Sequence, residues 1–376
     1  MADLLTPIEL VFPGRVHFGP GTAATIGDFA RERQFAKTFV VADAFNATRI
    51  GALHLPGEVA IFAEVTREPD IPMLEAALGA ARGSGAEFVV GFGGGSAMDL
   101  AKIVAALLED ARGVTEIAGP GKARPRRVGL AMVATTAGTG SEAGMRALVT
   151  DPVTEAKLAV QSRHIVADIA AVDADLMLSV PARITAETGV DALAHCAEGY
   201  TSKRAHPLVD TFALAGIRLI GQYLPRAIAD GGDREARAAL ALAAFWGGIC
   251  LGPVNTHAGH AVAYPLGTRH HVSHGAANAV IFPHVLAFNA PTVPGRTADI
   301  LSALGLEPSQ DPETVRERAY GWCRGLGIEM RMSARGIPEG DLDAMAKDAA
   351  GIRRLLDNNP RDIGEADILK IYRDAW

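Results

Sequence analysis

The feature that most limits the fold is a glycine-rich turn between a short apolar run and a helical pattern, GFGGGSAMDLAK at positions 91–102. Its three consecutive glycines, 93–95, can take positive φ angles and let a ligand approach the backbone closely. Ser96 is predicted as the N-cap of the following helix, with Asp99 near a capping-box position. The free N–H groups and the positive dipole end of such a helix suit a phosphate group. The turn therefore predicts a pyrophosphate-binding loop.

Two further features support a nucleotide, because the turn alone departs from G-x-G-x-x-G at Ser96 and could be a strand-to-helix turn without a ligand. The strand predicted over 38–42 ends in Asp43, whose carboxylate can accept both ribose hydroxyls of an adenosine and would repel a 2′-phosphate. A second small, hydroxyl-rich loop, TTAGTGSE at 135–142, also follows a strand. Each feature alone is equally typical of an ordinary turn, but together they favour a dinucleotide.

The first half of the chain alternates apolar strands with helical patterns, which predicts a doubly wound α/β domain. Several strands are near-continuous apolar runs, typical of strands covered on both faces of a parallel sheet. A pair of short strands around a turn is predicted over 148–160. The other predicted strands are 16–18, 38–42, 59–62, 88–92 and 129–134, and the helices between them include 70–84 and 96–108.

The strand signal disappears near residue 181, and the second half is rich in Ala and Leu. Asp311 and Pro312 form a good helix start, as N-cap and first helical residue. We therefore predict two domains, a dinucleotide-binding α/β domain over 1–180 and an all-helical domain over 181–376. The predicted helices of the second half are 181–201, 207–229, 234–249 and 312–326.

Charge and apolar patterning exclude several classes of function. The formal net charge is -7 and no Lys/Arg block dominates any stretch, so neither nucleic acid nor a membrane surface is an expected partner. The most apolar long run, 238–254, is shorter than the roughly 20 residues that span a bilayer. The N-terminus lacks a signal-peptide pattern, and the three cysteines show no disulfide or metal spacing. These observations predict a cytoplasmic protein.

A candidate metal site lies in the helical half. Asp191 and His195 are four residues apart, so they share one face of a helix. His260 and His274 lie in the histidine-rich stretch GHAVAYPLGTRHHVSHG. Any one of these histidines alone is more typical of a packed or surface residue. Together the four side chains could supply one carboxylate and three imidazoles to a divalent cation, leaving positions open for water or substrate.

The ordered set of motifs resembles the iron-containing (group III) alcohol dehydrogenases over nearly the whole chain. The resemblance implies a fold related to that of dehydroquinate synthase, with the active site between an N-terminal dinucleotide-binding domain and a C-terminal helical metal-binding domain. It also implies a homodimer or larger homo-oligomer. The matching motifs are RVHFGPG at 15–21, GGGSAMDLAK at 93–102, TTAGTGSE at 135–142, VDALAHCAEGY at 190–200, HAVAYPLG at 260–267, SHGAANAVIFPHVLAFN at 273–289 and NNPRDI at 358–363.

The resemblance also implies roles for individual residues. Asp43 matches the position that contacts the adenosine ribose, and Lys157 matches a cofactor-contacting lysine after the small hairpin. The residues that match the pyrophosphate turn are Gly94, Gly95 and Ser96, those that match the cofactor-contacting threonines are Thr135 and Thr136, and those that match the four metal ligands are Asp191, His195, His260 and His274.

The chain departs from the family pattern at positions that border the substrate cleft in relatives. Arg146, Thr256 and His257 stand where relatives usually have Asn or an apolar residue, Leu and Gly. Tyr264 stands where some members have a histidine proposed to relay protons. Arginine suits bidentate capture of an oxyanion, so these departures favour a polar or anionic substrate. The alternative is that Arg146 pairs internally, for example with Glu142, or points to solvent, and that His257 only packs.

The resemblance implies an NAD-dependent oxidoreductase that transfers a hydride between NAD(H) and an alcohol, aldehyde or ketone. The cation would act as a Lewis acid on the substrate oxygen, while the hydride chemistry belongs to the cofactor. Three histidines and one aspartate suit Fe²⁺, with Zn²⁺ as the alternative. Nearer rivals are a maleylacetate reductase and a hydroxyacid–oxoacid transhydrogenase, and a more remote one is a dehydroquinate synthase-like lyase. A non-catalytic nucleotide-binding module would not explain four spaced ligands.

Overall fold

The computed structural model describes residues 3–154 and 156–376. The chain forms two compact units. One unit, the α/β unit, comprises 11–136 and 140–178, and the other, the helical unit, comprises the segment ending at Leu10, 137–139 and 179–376. The prediction of separate domains over 1–180 and 181–376 stays a prediction, and the two short segments that pack with the helices were not foreseen.

The α/β unit is built on a six-stranded parallel sheet with the strand order β1-β9-β6-β4-β2-β3. The five strands predicted for this sheet are all present. The strands of the unit are β1 (Arg15–Phe18), β2 (Lys37–Ala42), β3 (Glu58–Phe62), β4 (Phe88–Gly93), β5 (Gly119–Pro120), β6 (Gly129–Ala134), β7 (Arg146–Thr150), β8 (Lys157–Gln161) and β9 (Ile169–Val172). Its α-helices are α1 (Thr25–Glu32), α2 (Ala44–Ala47), α3 (Ile71–Ser84), α4 (Gly95–Leu107) and α5 (Val114–Ile117).

The centre of this sheet is buried on both faces, as the continuous apolar runs indicate. Every residue of β4 and β6 is buried, and the two strands pair in register from Phe88 with Gly129 to Gly93 with Ala134. Strands of this kind pair only when helices cover both faces. Their carboxyl ends lie at one edge of the sheet, and the loops that follow them hold the candidate cofactor residues.

The turn between β4 and α4 differs from its prediction in two respects. α4 begins at Gly95 with Gly94 as its N-cap, so the prediction of Ser96 as N-cap is wrong. None of the three glycines 93–95 has a positive φ. Gly93 and Gly94 are needed for space instead: a Cβ at Gly93 would lie 2.8 Å from the Cβ of Ala97, and one at Gly94 would lie 3.2 Å from the Oγ1 of Thr136.

Asp99 does not complete a capping box. Its side chain instead joins α4 to the hydroxyl-rich loop after β6 and to β7. Its carboxylate accepts hydrogen bonds from the Oγ of Ser141 at 2.6 Å and from the backbone N–H of Leu148 at 2.9 Å. The buried ammonium of Lys102 lies 3.0 Å from the same Oγ of Ser141, and it donates to the carbonyl oxygens of Gly144 at 2.8 Å and Arg146 at 2.9 Å, just beyond the loop. Helix α4 therefore holds the hydroxyl-rich loop in place.

The pair of short strands predicted over 148–160 is confirmed. β7 and β8 are antiparallel, with Arg146 opposite Gln161 and Thr150 opposite Lys157. With β5 they form a second sheet in the order β5-β8-β7. Residue 155, which lies within the predicted stretch 148–160, is outside the described residues.

The helical unit confirms the loss of strand signal after residue 181. α12 begins as predicted, since the Asp311 side chain accepts from the N–H of Thr314 at 2.9 Å and Pro312 is the first helical residue. No helix in the described part of the chain has the length and apolar character needed to cross a membrane. The helices are α6 (Ala182–Thr201), α7 (Pro207–Ala229), α8 (Arg234–Leu251), α9 (Ala258–His270), α10 (His274–Asn289), α11 (Pro294–Ala303), α12 (Pro312–Gly325), α13 (Leu342–Ala350), α14 (Arg353–Leu356) and α15 (Glu365–Ala375).

Short 3₁₀ helices occur in both units. They span Thr22–Ala24, Ile50–Leu53, Ser141–Ala143, Arg163–Ile165, Ala174–Met177, Ser333–Arg335 and Glu339–Asp341.

Candidate metal centre and dinucleotide site

The four predicted metal ligands meet inside the helical unit. α6 carries Asp191 and His195 one turn apart, α9 carries His260, and His274 is the first residue of α10. One potential ligand atom from each side chain lies within 4.8 Å of the others. Three separate helices therefore bring together residues that are up to 83 positions apart in the sequence.

The cluster is centred on one carboxylate oxygen. Oδ1 of Asp191 lies 3.6 Å from Nε2 of His260, 3.5 Å from Nε2 of His274 and 4.0 Å from Nε2 of His195. Asp191, His195 and His260 are almost completely buried, whereas His274 is partly exposed. The cluster thus has a dry interior and one side that remains accessible.

Glu198 is a residue of this site that the sequence analysis missed. Its Oε1 lies 2.6 Å from Nδ1 of His260. The ionised carboxylate can only accept here, so Nδ1 carries a proton and Nε2 is the ring nitrogen that faces the cluster and would bind a cation. The signal was present in the sequence, because Asp191, His195 and Glu198 follow the 4-and-3 spacing of one helix face.

The same carboxylate fixes the start of α9. Oε2 of Glu198 accepts from the backbone N–H of His257 at 2.6 Å. Gly259 leaves room for it, since a Cβ at this position would lie 2.4 Å from Oε1 of Glu198. Burial alone would raise the pKa of Glu198, but His260 and His257 lower it to about 2. Glu198 is therefore ionised, and it orients one metal-ligand candidate.

Asn278 is the second residue that was missed. Its Nδ2 donates to Oδ1 of Asp191 at 2.6 Å and lies 3.2 Å from Nε2 of both His260 and His274. Asn278 follows His274 by four residues on α10, so the helical spacing could have identified it. The amide borders three of the four candidate ligand atoms.

The donor set fits a divalent cation. Burial would raise the pKa of Asp191, but the neighbouring imidazoles of His195 and His274 hold it well below its ordinary value. Burial lowers the pKa of His260, but Glu198 and Asp191 raise it to about 10. Two ionised carboxylates in a dry interior thus draw positive charge into the cluster, and a buried charge of this kind needs a partner. Imidazole and carboxylate ligands suit Fe²⁺ and Zn²⁺.

The predicted adenosine contact lies at the carboxyl end of β2. Asp43 is the N-cap of α2, where its carboxylate accepts from the N–H of Asn46 at 2.9 Å and from the Asn46 side chain. The amide of Asn46 also lies 3.3 Å from Oγ1 of Thr135. The ends of β2 and β6 are thereby joined through one asparagine.

Several of the predicted cofactor residues share this edge of the sheet. Gly94 and Gly95 begin α4 directly after β4, and Ser96 is its second residue. Oγ1 of Thr136, which follows β6, is the nearest atom to a Cβ built on Gly94. The N-terminus of a 13-residue helix presents backbone N–H groups that suit a phosphate. Lys157 instead forms an ion pair with Glu68 at 2.7 Å in the small sheet.

The predicted substrate residues have protein partners. Nη2 of Arg146 donates to Oε1 of Gln161 at 3.2 Å, so a partner other than the suggested Glu142 is present. The backbone N–H of Thr256 donates to Oδ1 of Asn255 at 2.8 Å.

His257 and Tyr264 belong to the surroundings of the metal cluster. Nδ1 of His257 accepts from the N–H of Ala258 at 2.8 Å, and its Nε2 lies 2.9 Å from Oγ1 of Thr201. Both ring nitrogens are thus engaged, which supports the alternative that His257 packs. The ring of Tyr264 lies 6.0 Å from that of His274.

Two family models match the chain over almost all of its length. The model of the iron-containing alcohol dehydrogenases matches residues 13–174. The model of the C-terminal region of the Fe-containing alcohol dehydrogenase family matches residues 185–376.

Individual relatives agree with these matches. Long-chain-alcohol dehydrogenase 1 from Geobacillus thermodenitrificans is 36% identical over 326 residues, which cover 85% of this chain and 82% of that protein. The crystal structure of a 1,3-propanediol oxidoreductase has a TM-score of 0.93 and 29% identity, covering 99% of this chain and 100% of its own. A sulfoacetaldehyde reductase from Bifidobacterium kashiwanohense, solved in complex with NAD⁺, has a TM-score of 0.88 and 27% identity, covering 98% and 99%.

Proposed function

The chain belongs to the iron-containing alcohol dehydrogenase family, and from this premise we propose the roles of its residues, its substrate class, its assembly and its location. It is a metal-dependent oxidoreductase that transfers a hydride between NAD(H) and an alcohol, aldehyde or ketone. Membership in this family favours the dehydrogenase over the lyase alternative.

The observation that carries the proposal is the buried cluster of Asp191, His195, His260 and His274. These side chains hold the divalent cation, with Glu198 and Asn278 orienting them. The cation supplies Lewis acidity toward the substrate oxygen, and NAD(H) supplies the hydride chemistry. The protein's own contribution is orientation, because buried and mutually bonded ligands keep their geometry through the reaction.

The dinucleotide is proposed to bind at the carboxyl ends of β2, β4 and β6. The α4 N-terminus at Gly94, Gly95 and Ser96 binds the pyrophosphate, because unpaired N–H groups and the helix dipole favour an anion there. The carboxylate of Asp43 accepts from the ribose hydroxyls and disfavours a 2′-phosphate. The flanking hydroxyls of Thr135 and Thr136 and the ammonium of Lys157 complete the proposed contacts.

The substrate is proposed to carry an anionic or strongly polar group, bound by Arg146. A family member of similar structure is named for an aldehyde that bears a sulfonate, which supports an anionic substrate for this chain. Tyr264 lies beside His274 and is the proposed start of the proton route, while Thr256 and His257 shape the site through their backbone and internal bonds.

A homodimer or larger homo-oligomer is proposed from the edge of the six-stranded sheet. β1 is an edge strand, and Phe12, Val16 and Phe18 beside or within it are 45%, 42% and 44% exposed. Exposed apolar edge strands readily pair with another chain. A double variant, Val16→Lys with Phe18→Glu, should be monomeric by light scattering, and a wild-type chain that is already monomeric at micromolar concentration would refute the proposal.

A cytoplasmic location is also proposed. The three cysteines, Cys196, Cys250 and Cys323, are free and buried. Free thiols suit a reducing compartment.

The proposed function is tested by NADH oxidation with a panel of aldehydes, ketones and oxoacids, after reconstitution with Fe²⁺ or Zn²⁺. We expect turnover of at least one aldehyde and a preference for an acidic one over its uncharged analogue. Reduction of maleylacetate alone, or hydride exchange between two substrates without net NADH oxidation, would point to the specialised alternatives. No turnover with any carbonyl compound would refute the proposal.

A further inference from the structure

A cavity lies in the helical unit, between the sides of α12 and α15. Its volume is about 410 Å³, which is within the range of small-molecule sites. Most of its wall is charged, and four of its lining residues are arginines. The lining residues that matter here are Arg316, Tyr320, Arg324, Arg331, Arg373 and Asp374.

The charges of this cavity do not balance. Arg316 pairs with Glu313, and Asp374 pairs with Lys370 at 2.7 Å. Within residues 3–154 and 156–376, no ion pair or side-chain hydrogen bond involves the guanidinium groups of Arg324, Arg331 and Arg373.

The three arginines are exposed, and they bring three guanidinium charges to one cavity in a chain whose net charge is -7. Like charges in close proximity repel, and the repulsion is larger near a protein surface than in bulk water. Guanidinium groups bind phosphate oxygens through paired N–H donors. An anion with several charged oxygens would therefore relieve the repulsion and engage all three side chains.

Behind the wall of the cavity lies a buried imidazole, that of His284, without hydrogen-bond partners in the described part of the chain. His284 is 4% exposed and meets the ring of Tyr320 edge-on, with 6.4 Å between the ring centroids. Neither of its ring nitrogens has a hydrogen-bond partner in the described part of the chain. Burial, and next the charge of Arg316, lower the pKa of His284 to about 4, so a neutral ring with an unmet donor and acceptor lies beside the cavity. Such groups are rare without a water or ligand partner.

The cavity is separate from the candidate metal centre. His284 follows His274 by ten residues on α10, which corresponds to roughly 15 Å along a helix at about 1.5 Å per residue. The proposed dinucleotide residues belong to the other compact unit. Neither the proposed metal site nor the proposed dinucleotide site includes any of the three arginines.

We propose that this cavity binds a compact anion with at least two phosphate-type groups, held by Arg324, Arg331 and Arg373. The occupant is smaller than the dinucleotide and binds independently of it. The site does not depend on the proposed function, because none of its residues takes part in the metal or cofactor sites.

The test is calorimetric titration of the metal-loaded enzyme with inorganic pyrophosphate, in the presence of saturating NAD⁺ so that the dinucleotide site is occupied. The variant is Arg324→Gln, Arg331→Gln and Arg373→Gln combined. The matched control is Arg33→Gln, Arg124→Gln and Arg218→Gln combined, which changes the net charge equally at exposed positions outside the cavity.

We expect saturable binding of one pyrophosphate per chain to the wild type, and an affinity reduced by a factor of about ten or more in the cavity variant, as loss of charge-assisted pairs requires. The control variant should bind like the wild type, and the loss confined to the cavity variant excludes metal chelation, which would give the same signal in all three proteins. Equal weakening in both variants would show nonspecific charge attraction and overturn the proposal. So would the absence of saturable binding to the wild type.

Discussion

Oε1 of Glu198 lies 2.6 Å from Nδ1 of His260, so a buried carboxylate on α6 sets the orientation of a ring that α9 directs at the metal cluster. The contact engages Nδ1 of His260 and turns Nε2 toward Asp191. Carboxylates in this position raise the basicity of the imidazole and fix its tautomer. The relationship leads to the first prediction.

Glu198→Gln should weaken metal binding by about 10–100-fold, because the charge is lost while the shape is kept. Chelator competition, followed by metal analysis of the purified protein, measures this affinity independently of activity. Glu142→Gln is the control, since Glu142 is an equally buried glutamate of the α/β unit. Unchanged affinity in Glu198→Gln would show that the carboxylate only packs.

Asp43→Ser should narrow the preference for NAD(H) over NADP(H), because it removes the charge that opposes a 2′-phosphate. Serine is a good N-cap, so the capping of α2 by this position should survive the change. The ratio of kcat/KM for the two cofactors is the measurement. A wild-type preference for NADP(H) would contradict the assignment before any variant is made.

Glu142→Gln should change the pH dependence of stability. Burial raises the pKa of Glu142 from its ordinary value of 4.5 to about 7. The folded chain therefore holds this proton more tightly than the unfolded chain. The contribution of Glu142 to the free energy of unfolding is fully present below about pH 4.5 and is lost as pH rises through about 7.

At about pH 8 the glutamine variant should accordingly have a free energy of unfolding on the order of 1–3 kcal/mol higher than that of the wild type. At about pH 4.5 the two free energies should be nearly equal. Urea unfolding at the two pH values gives the comparison, with Glu109→Gln as an exposed control. If the stability difference between the variant and the wild type is the same at both pH values, the pKa of Glu142 is not raised in the folded chain.

Arg146→Ala should cost an acidic aldehyde on the order of 1.5–3 kcal/mol in kcat/KM and spare its uncharged analogue. Loss of one charge-assisted pair with the substrate is the reason. Gln161→Ala is the matched control, since it removes the contact at 3.2 Å while keeping the guanidinium. Equal losses for both substrates would rule out an anionic-substrate role.

Periodicity in the sequence predicted the strands of the six-stranded sheet, the small hairpin and the start of α12 well. These elements depend on local signals, namely continuous apolar runs and capping side chains. The turn after β4 was predicted less well. The glycines allow α4 to begin at Gly95 rather than after Ser96, because packing against Ala97 and Thr136 decides the path, and such contacts are tertiary.

The prediction of Asp191 and His195 as metal ligands rested partly on their helical spacing. The full set of four ligands rested on the family resemblance. Glu198 and Asn278 were missed although both lie at helical spacing from a ligand. Their function depends on contacts between different helices, which one sequence does not reveal. Spacing on α6 and α10 places them on the correct face but cannot show which ring each one meets.

The central claim, that a cation held by the histidine cluster is required for hydride transfer, is tested most directly by removing it. NADH oxidation with an aldehyde substrate should be lost when the metal is stripped, and should return when Fe²⁺ or Zn²⁺ is added to the wild type but not to His260→Ala. Loss of one ligand removes a bond to the cation, so the variant should also retain little metal after purification. Full activity in a metal-stripped sample that contains no detectable metal would contradict the account.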